Sequence, residues 1–402
     1  MDSQARTKDF DLTALLAPIN PEDFFRDYWE RKPLHLSRKD PHYYDTVLNN
    51  GDLESIISYP DLRYPAIQLA RDGGYLAPEA FTRDIKHGTE VFAAVADLER
   101  IQSEYRAGTT VVLAALQRLW MPVQELCAAL ENHISHPVHA NAYLTPGGFP
   151  GFTPHYDTHE VFVLQIAGTK HWRVFDPPLK LPHRSQTFSP IGYNLPAPIL
   201  EFDLNPGDLL YLPRGYVHAA NAVGGHSAHL TIGITVYTWV ELIAELANAA
   251  KDMPALRAAL PPGFAARAEL KATLQQHLPQ YLEQLRDNAD FQRLIDGFVH
   301  RVTSARARPQ PVFDSDIRAI GLQTHLRTPA AGSYRISIEP RGVVMEFADK
   351  KFVLPEKIRA TIDEMCRRQS FRLAELSGPL DDDGKLTLAR YLHGERFLTV
   401  LD

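Results

Sequence analysis

The chain has 402 residues, of which 45% are hydrophobic and 23% are charged, and its formal net charge is -7. These values are typical of a soluble globular protein with room for two or three domains, and they exclude a wholly disordered chain. The acidic balance argues against broad electrostatic binding to nucleic acid or to an anionic membrane. With only two cysteines, no disulfide framework is expected, and a cytoplasmic protein is predicted.

The first clear element begins at Asn20, in the segment NPEDFFRDYWERKPLHL. Asn20 suits a helix N-cap and Pro21 suits the first helical position, so the segment predicts a helix that leads into a strand. The opening residues before it lack the apolar run of a secretory signal. Residues 88–133 are predicted to be mainly helical, with TTVVLAALQRL and MPVQELCAALENH as the clearest segments. The apolar window Val111 to Val123 is too short to span a bilayer.

Between Val138 and Trp239 the pattern changes to short β-rich runs separated by Pro and Gly. The runs are HANAYLT, EVFVLQIAG, KHWRVFD, ILEFDLN, DLLYLP and HLTIGITVY. Many short strands with turn signals favour a sandwich or barrel, here a double-stranded β-helix of the jelly-roll or cupin type. The predicted fold class is therefore α+β, with this barrel core at about 138–239 inside a catalytic domain of residues 1–240.

The remainder of the chain is predicted to form two further domains. Residues 241–305 are helical and carry a leucine stripe, which fits packing within the chain or against a second copy, and we predict a homodimer through this segment. The segment SARARPQPVFDSD has the composition of a linker. Residues 306–402 combine strands and small helices in a winged-helix-like pattern, but their charge is balanced and DDDG is acidic, so direct nucleic-acid binding is not expected.

His155, Asp157 and His218 are the candidate metal ligands. H-x-D alone fits a turn before a strand, with the aspartate capping backbone N–H groups. A Gly/Pro loop precedes the pair, and the segment NPGDLLYLPRGYVHAA supplies a histidine of the kind that completes a cupin metal site. Two imidazoles and one carboxylate leave coordination positions open, which favours Fe(II) over a structural zinc. His159 is a rival ligand, and a catalytic zinc hydrolase stays open as an alternative, although no general base is evident.

Lys170 begins the strand KHWRVF, on the same predicted face as Trp172 and opposite His171 and Arg173. If that face points into the barrel, a buried cation lies beside the metal and needs an anionic partner. The carboxylate of a 2-oxo acid would suit it. The alternative is a solvent-exposed lysine at the start of a strand.

The segments FFRDYWERKPLHL, NAYLTPGGFPGFTPHYDTHEVFVLQIAGTKHWRVF, GDLLYLPRGYVHAA and HSAHLTIGITVYTW carry a resemblance over nearly the whole chain. The chain resembles the JmjC-type Fe(II)- and 2-oxoglutarate-dependent dioxygenases, and among them the ribosomal oxygenases, which hydroxylate ribosomal proteins. The resemblance implies a helical dimerisation region, a winged-helix-like tail, and Fe(II), 2-oxoglutarate and O2 as cofactor and co-substrates.

The resemblance also implies roles for particular residues. His155, Asp157 and His218 would bind iron, and Lys170 would bind the distal carboxylate of 2-oxoglutarate. Asn141 and Thr231 would add polar contacts in the pocket. Tyr143 lies two residues after Asn141, hence on the same strand face, and would line the same cavity. Lysine at position 170 is similar to the histidine-hydroxylating branch, whereas the arginine-hydroxylating branch tends to carry arginine there.

Three other functions stay open at this point. An N-methyl-lysine demethylase uses the same iron chemistry, a small-molecule hydroxylase would need a pocket closed to peptides, and a non-catalytic cupin would only bind or scaffold. The expected substrate is a ribosomal protein, modified on a side-chain carbon, with histidine favoured over arginine as the target.

Overall fold

The computed structural model describes residues 10–71, 73–149, 151–304, 319–329, 334–347 and 350–401. The chain divides into two compact units, with the boundary between Val236 and Tyr237. Most of the segment predicted to be a linker, from residue 305 onward, lies outside the described residues. Nothing in the described part is a helix long and apolar enough to cross a membrane.

The first unit combines short helices with a large antiparallel sheet. Its helices are α1 (Leu12–Leu16), α2 (Pro21–Asp27), α3 (Asn50–Ile57), α4 (Leu98–Arg106) and α5 (Met121–Ile134). Its strands are β1 (Leu34–Leu36), β2 (Ile67–Arg71), β3 (Gly74–Tyr75), β4 (Thr82–His87), β5 (Glu90–Ala96), β6 (Thr110–Leu113), β7 (Val138–Thr145), β8 (Glu160–Phe175), β9 (Leu200–Leu204), β10 (Leu209–Leu212) and β11 (Val217–Ile234).

The N-terminal prediction is confirmed, but part of the helical prediction for residues 88–133 is wrong. The Asn20 side chain accepts a hydrogen bond from the Asp23 N–H (2.8 Å) and caps α2, which leads into β1. The segment TTVVLAALQRL instead forms β6 and a short 3-10 turn, and β5 also lies in this range. The β-branched Thr110, Val111 and Val112 favour a strand, and β6 pairs with both β2 and β7.

Strands of the main sheet run in the order β1, β10, β8, β11, β7, β6, β2, β3, and β9 pairs with the second half of β8. The two long strands β8 and β11 pair along nearly their whole length, from Glu160 with Ile234 to Phe175 with Val217. The first half of β8 and the second half of β11 therefore form one layer, flanked by β10 and β7. The second half of β8 and the first half of β11 form the other layer, in which β9 pairs with β8. This is the double-stranded β-helix predicted from the sequence.

The long strands change layers at a glycine turn. Two predicted runs, EVFVLQIAG and KHWRVFD, are one strand that bends at Gly168, where φ is +62°. A Cβ at Gly168 would lie 1.9 Å from the His226 carbonyl oxygen, so only glycine fits. The partner strand β11 has a register shift between Val223 and Ala228, opposite this bend. The glycine and the bulge together let one strand pair serve both layers.

The main core lies between the sheet and the N-terminal helices. Phe24 of α2 packs against Phe162 of β8 and Tyr211 of β10, with ring centroids 5.6 and 4.8 Å apart. All three rings are fully buried. Burial of one such side chain contributes about 1.5–3 kcal/mol. This packing holds the outer face of the sheet and leaves its other face free to line a cavity.

The second unit contains a helical segment and a small mixed module. Its helices are α6 (Trp239–Ala249), α7 (Ala268–Asn288), α8 (Phe291–Ser304), α9 (Arg359–Arg368) and α10 (Asp382–Gly394). Its strands are β12 (His325–Arg327), β13 (Tyr334–Glu339), β14 (Gly342–Phe347), β15 (Lys350–Leu354), β16 (Ser370–Arg372) and β17 (Thr399–Val400). They form two three-stranded sheets, β13-β14-β15 and β16-β12-β17, over a separate apolar core.

The leucine stripe of the predicted helical region lies on α7. Leu285 is buried, whereas Leu278 and Leu282 are 58% and 57% exposed in the single chain. The prediction of a homodimer through residues 241–305, and that of a winged-helix-like domain at 306–402, stay predictions.

Candidate active site

His155, Asp157 and His218 meet at the start of the second layer of the barrel. His155 and His218 exchange two backbone hydrogen bonds, His155 N–H to the His218 carbonyl (3.2 Å) and the reverse (2.9 Å). The Asp157 carbonyl accepts a hydrogen bond from the Gly215 N–H (3.0 Å). The loop before β8 is thereby fastened to the start of β11. One ligand atom from each of the three side chains lies within 4.8 Å of the other two.

Backbone carbonyls fix which ring nitrogen of each histidine faces the centre. His155 Nδ1 lies 2.7 Å from the Thr153 carbonyl, and His218 Nδ1 lies 3.1 Å from the Tyr216 carbonyl. A carbonyl can only accept, so Nδ1 is the donor in both rings, and in the neutral tautomer this leaves the lone pair on Nε2. His218 Nε2 lies 3.6 Å from Asp157 Oδ2. A metal-binding histidine usually donates a hydrogen bond from the ring nitrogen that does not bind the metal, as Nδ1 does in both residues. The two histidines and the carboxylate therefore fit a divalent metal ion that keeps further coordination positions open for other ligands.

The electrostatics of the group favour the deprotonated state that metal binding needs. Burial, followed by the nearby His155, lowers the pKa of His218 to about 4. Burial alone would raise the pKa of Asp157, but the surrounding histidines, His159 first, outweigh it and the net shift is downward. At neutral pH the group therefore offers a neutral imidazole beside a carboxylate, as a metal ligand set requires.

Lys170 lies inside the barrel, which excludes the alternative of an exposed lysine. It is 4% exposed and shares the inner face with Trp172, while His171 lies on the other face and contacts Asp203. Its Nζ lies 3.4 Å from Thr145 Oγ1 and 3.5 Å from His229 Nδ1. Burial lowers the pKa of Lys170 to about 7. None of the described residues offers it a carboxylate, so the site is complete only with an anionic ligand.

Asn141, Thr231 and Tyr143 lie on the same inner face and line the same cavity as Lys170. Asn141 and Thr231 are direct cross-strand partners. The Asn141 Oδ1 accepts a hydrogen bond from the Ala115 N–H (2.9 Å), and the Asn141 side chain also hydrogen-bonds to Tyr143. Tyr143 stacks on His229, with centroids 5.1 Å apart and planes inclined by 10°.

One cavity of about 410 Å³ brings all seven predicted site residues together. Its lining also includes Gly73, Tyr75, Thr110, His139, Thr145, Gly151, Phe152, Thr153, His159, Val161, Val163, Trp172, Leu212, Ala219, Ala220 and His229. A volume of this size is typical of a pocket for a small ligand. The particular roles assigned to the seven residues stay predictions.

Comparison with known proteins identifies the family. The JmjC domain profile matches residues 116–242, a range that contains the three candidate ligands and Lys170. Ribosomal oxygenase 1 of Gallus gallus is 34% identical over 249 residues, covering 60% of this chain and 39% of that protein. Ribosomal oxygenase 2 of Mus musculus is 32% identical over 294 residues, covering 69% and 60%. The chain belongs to the JmjC-type ribosomal oxygenase family.

A solved structure shares the fold of this family member along almost its full length. It is the ribosomal oxygenase YcfD from Escherichia coli, in complex with cobalt and 2-oxoglutarate. The TM-score is 0.51 at 16% identity, covering 96% of this chain and 99% of that one. The chain spans less than two thirds of the length of the two curated relatives above.

Several residues of the JmjC cavity lie outside the predicted site. The rival ligand His159 is not part of the three-residue metal group; its ring lies 5.1 Å from that of His139. His139 shares the alternation of Asn141 and Tyr143 in HANAYLT, and that period could have identified it. Tyr75 reaches the cavity from the two-residue strand β3, far away in sequence, and no local pattern indicates it.

Proposed function

We propose that this chain is an Fe(II)- and 2-oxoglutarate-dependent oxygenase that hydroxylates a protein side chain. The observation that carries the proposal is the buried cation of Lys170 in the same cavity as His155, Asp157 and His218. A ligand that chelates a metal at one end and bears a carboxylate at the other would satisfy both groups. The cobalt and 2-oxoglutarate bound by the Escherichia coli ribosomal oxygenase are such a pair.

Each cavity residue has a defined part in this proposal. His155, Asp157 and His218 hold Fe(II), and Lys170 pairs with the distal carboxylate of 2-oxoglutarate. Fe(II), 2-oxoglutarate and O2 together supply the chemistry that converts a C–H bond to C–OH, while 2-oxoglutarate leaves as succinate and CO2.

The rest of the inner face binds and orients the co-substrate. Asn141 and Thr231 supply polar contacts along its length, and Tyr143, held against His229, forms one wall. Val163 and Trp172, both buried on the same face, exclude water from the space between the lysine and the metal ligands. A fixed, dry pocket positions the reacting C–H bond without reorganisation during the reaction.

The substrate we propose is a ribosomal protein, with histidine favoured over arginine as the modified residue. The names of the relatives support the ribosomal target. Lysine at position 170 supports the histidine branch only through the family resemblance given by the sequence. We further propose that the enzyme acts in the cytoplasm, as a homodimer through residues 241–305, without direct binding to nucleic acid.

The test compares His155→Ala and Asp157→Ala with the wild-type protein. Each variant loses one of the three metal ligands, and the three ligands act together. Hydroxylation that depends on 2-oxoglutarate should therefore fall below detection in each variant. The assay is tandem mass spectrometry of ribosomal proteins for a gain of about 16 Da, one oxygen atom. His171→Ala is the control, because His171 lies on the outer face beside Asp203 and Glu201.

Full turnover by Asp157→Ala would contradict the proposed site. Release of formaldehyde from methylated peptides, without a hydroxylated ribosomal protein, would instead identify a demethylase. Ribosomal proteins from cells with and without this gene provide the substrate pool for the assay.

A further inference from the structure

Two imidazoles lie at the end of the cavity farthest from Lys170. Along β7, His139 and Thr145 are separated by six residues of strand, roughly 20 Å at the usual rise per residue. Thr145 is the residue next to Lys170 Nζ. His139 therefore marks the opposite end of the cavity, and His159 lies beside it with ring centroids 5.1 Å apart.

The metal group lies next to this histidine pair. Asp157 precedes His159 by two residues and lines the same cavity as both histidines. If 2-oxoglutarate extends from Lys170 to the metal, the space beyond the metal is bordered by these two rings. That space is where a C–H bond must lie for oxidation.

Gly233 lies on β11, opposite β7, and its lack of a side chain leaves space for the rings of His139 and His159. It pairs with His139 across the sheet. A Cβ at position 233 would lie 2.4 Å from both Cε1 and Nε2 of His139 and 2.8 Å from Cδ2 of His159. Real Cβ atoms essentially never approach so closely, so any larger residue at 233 would displace His139. Glycine at position 233 of β11 therefore allows the rings of His139 and His159 to line the cavity.

The polar atoms of the pair are available to a ligand. Within the described part of the chain, neither ring has a hydrogen-bond partner. A neutral imidazole offers one donor and one acceptor.

The acidic groups of the cavity limit what it can accept. Among the described residues that line the cavity, Asp157 is the sole carboxylate, and it already belongs to the candidate metal-binding group. A buried guanidinium would therefore have no anionic partner of its own, at a large desolvation cost. A neutral planar side chain carries no such cost and can use the free donor and acceptor of His139.

We propose that His139 and His159 form the subsite for the side chain that is oxidised, and that this subsite takes a neutral imidazole in preference to a guanidinium. The inference rests on the proposed function, because it assumes the position of the metal and of 2-oxoglutarate. It assigns substrate selection to two residues outside the metal and co-substrate sites.

Binding, rather than turnover, tests the subsite. The full-length protein is loaded with Mn(II) and 2-oxoglutarate without O2, and fluorescence anisotropy follows short labelled Gly–Ser peptides that differ only in a central histidine or arginine. The wild type should bind the histidine peptide about tenfold more tightly, the effect of one hydrogen bond of roughly 1.4 kcal/mol. His139→Ala and His159→Ala should each remove most of this preference.

Gly233→Ala should have the same effect on the histidine peptide without altering either histidine, because the added Cβ displaces His139. Gly225→Ala is its matched control, since a Cβ at Gly225 meets nothing within 4 Å. His139→Asn keeps a polar side chain if His139→Ala destabilises the fold, and a thermal melt of each variant checks folding.

Two results would overturn the inference: a wild-type preference for the arginine peptide, or unchanged histidine-peptide affinity in folded His139 and Gly233 variants. Failure of the proposed function would be distinguishable, because the wild type would then bind neither Mn(II) nor 2-oxoglutarate. Retained Mn(II) and 2-oxoglutarate binding with lost peptide preference in the variants supports the assignment.

Discussion

The two faces of strands β7, β8 and β11 have opposite chemistry. The outer face carries apolar, fully buried residues: Ala140, Ala142, Phe162, Leu164 and Ile232. The inner face carries polar residues around the cavity: His139, Asn141, Tyr143, Lys170, His218, His229 and Thr231. Because side chains alternate along a strand, one stretch of sequence encodes both faces. Stability and function are thus assigned to alternate residues of the same strands.

We expect the inner face to lower the free energy of unfolding of the metal-free protein. Lys170 and His229 are both buried, and burial lowers the pKa of each, well below the usual range in the case of His229. A buried ionisable group without an opposite charge is costly. The outer face, packed against α2, must offset this cost. Substitutions on the two faces should therefore change stability in opposite directions.

The largest expected effect on stability is that of Phe162→Ala on the outer face. Phe162 contacts Phe24 and Tyr211, and its loss leaves a cavity in the main core. The free energy of unfolding should fall by about 3–5 kcal/mol. Urea denaturation measures it, with Val91→Ala as the control, since Val91 is largely exposed on β5. A loss below about 1 kcal/mol would show that the outer face is not the main source of stability.

Lys170→Met on the inner face should change stability in the other direction. The folded pKa of Lys170 lies below its ordinary value, so the charged form is disfavoured by folding. Below pH 7 the lysine is protonated in both states and the cost is fully present; it is relieved as pH rises from about 7 to the unfolded pKa of about 10.4. At pH 6 the metal-free variant should be more stable by roughly 1–4 kcal/mol.

The same variant should bind 2-oxoglutarate more weakly, by about 2–5 kcal/mol, because the distal carboxylate loses its buried partner. Calorimetric titration of the Mn(II)-loaded protein measures this loss, and Lys86→Met, an exposed lysine of β4, is the control. A variant that is less stable than the wild type at pH 6, or that keeps its affinity, would contradict the role of Lys170.

The sequence allowed the prediction of those parts of the molecule that local pattern determines. The alternation in HANAYLT identified Asn141 and Tyr143 as residues of one face, and that of KHWRVF identified Lys170. The cap at Asn20 located the start of α2 correctly. In each case the residues that decide the structure are neighbours in sequence, so hydrophobic period and capping chemistry suffice.

Features that depend on distant strands could not be predicted. The segment TTVVLAALQRL contains the continuous apolar run VVLAAL, so its period does not distinguish helix from strand, and pairing with β2 and β7 decides the outcome. The space that Gly233 leaves for His139 depends on the register of β11 with β7. Tyr75 enters the cavity only because β2 and β3 extend the same sheet.

The smallest expected effect is a pH dependence of 2-oxoglutarate binding. In the proposed function the distal carboxylate of 2-oxoglutarate pairs with protonated Lys170, whose pKa without this ligand is about 7. Affinity should be nearly constant below this pH and should fall above it, by at most about tenfold per pH unit, because the lysine must first take up a proton. Titrations of the Mn(II)-loaded protein from about pH 6 to about pH 8.5 cover this window.

Lys170→Arg is the matched variant for this experiment. Its guanidinium stays protonated at every pH in the window, so any 2-oxoglutarate binding it retains should not follow the wild-type fall. Lys170→Met, which has no proton to lose, should also give a flat profile from a weaker starting affinity. A wild-type profile as flat as that of Lys170→Arg would mean that the inner face holds Lys170 fully charged, and that burial at this position costs the fold much less than the comparison of the two faces implies.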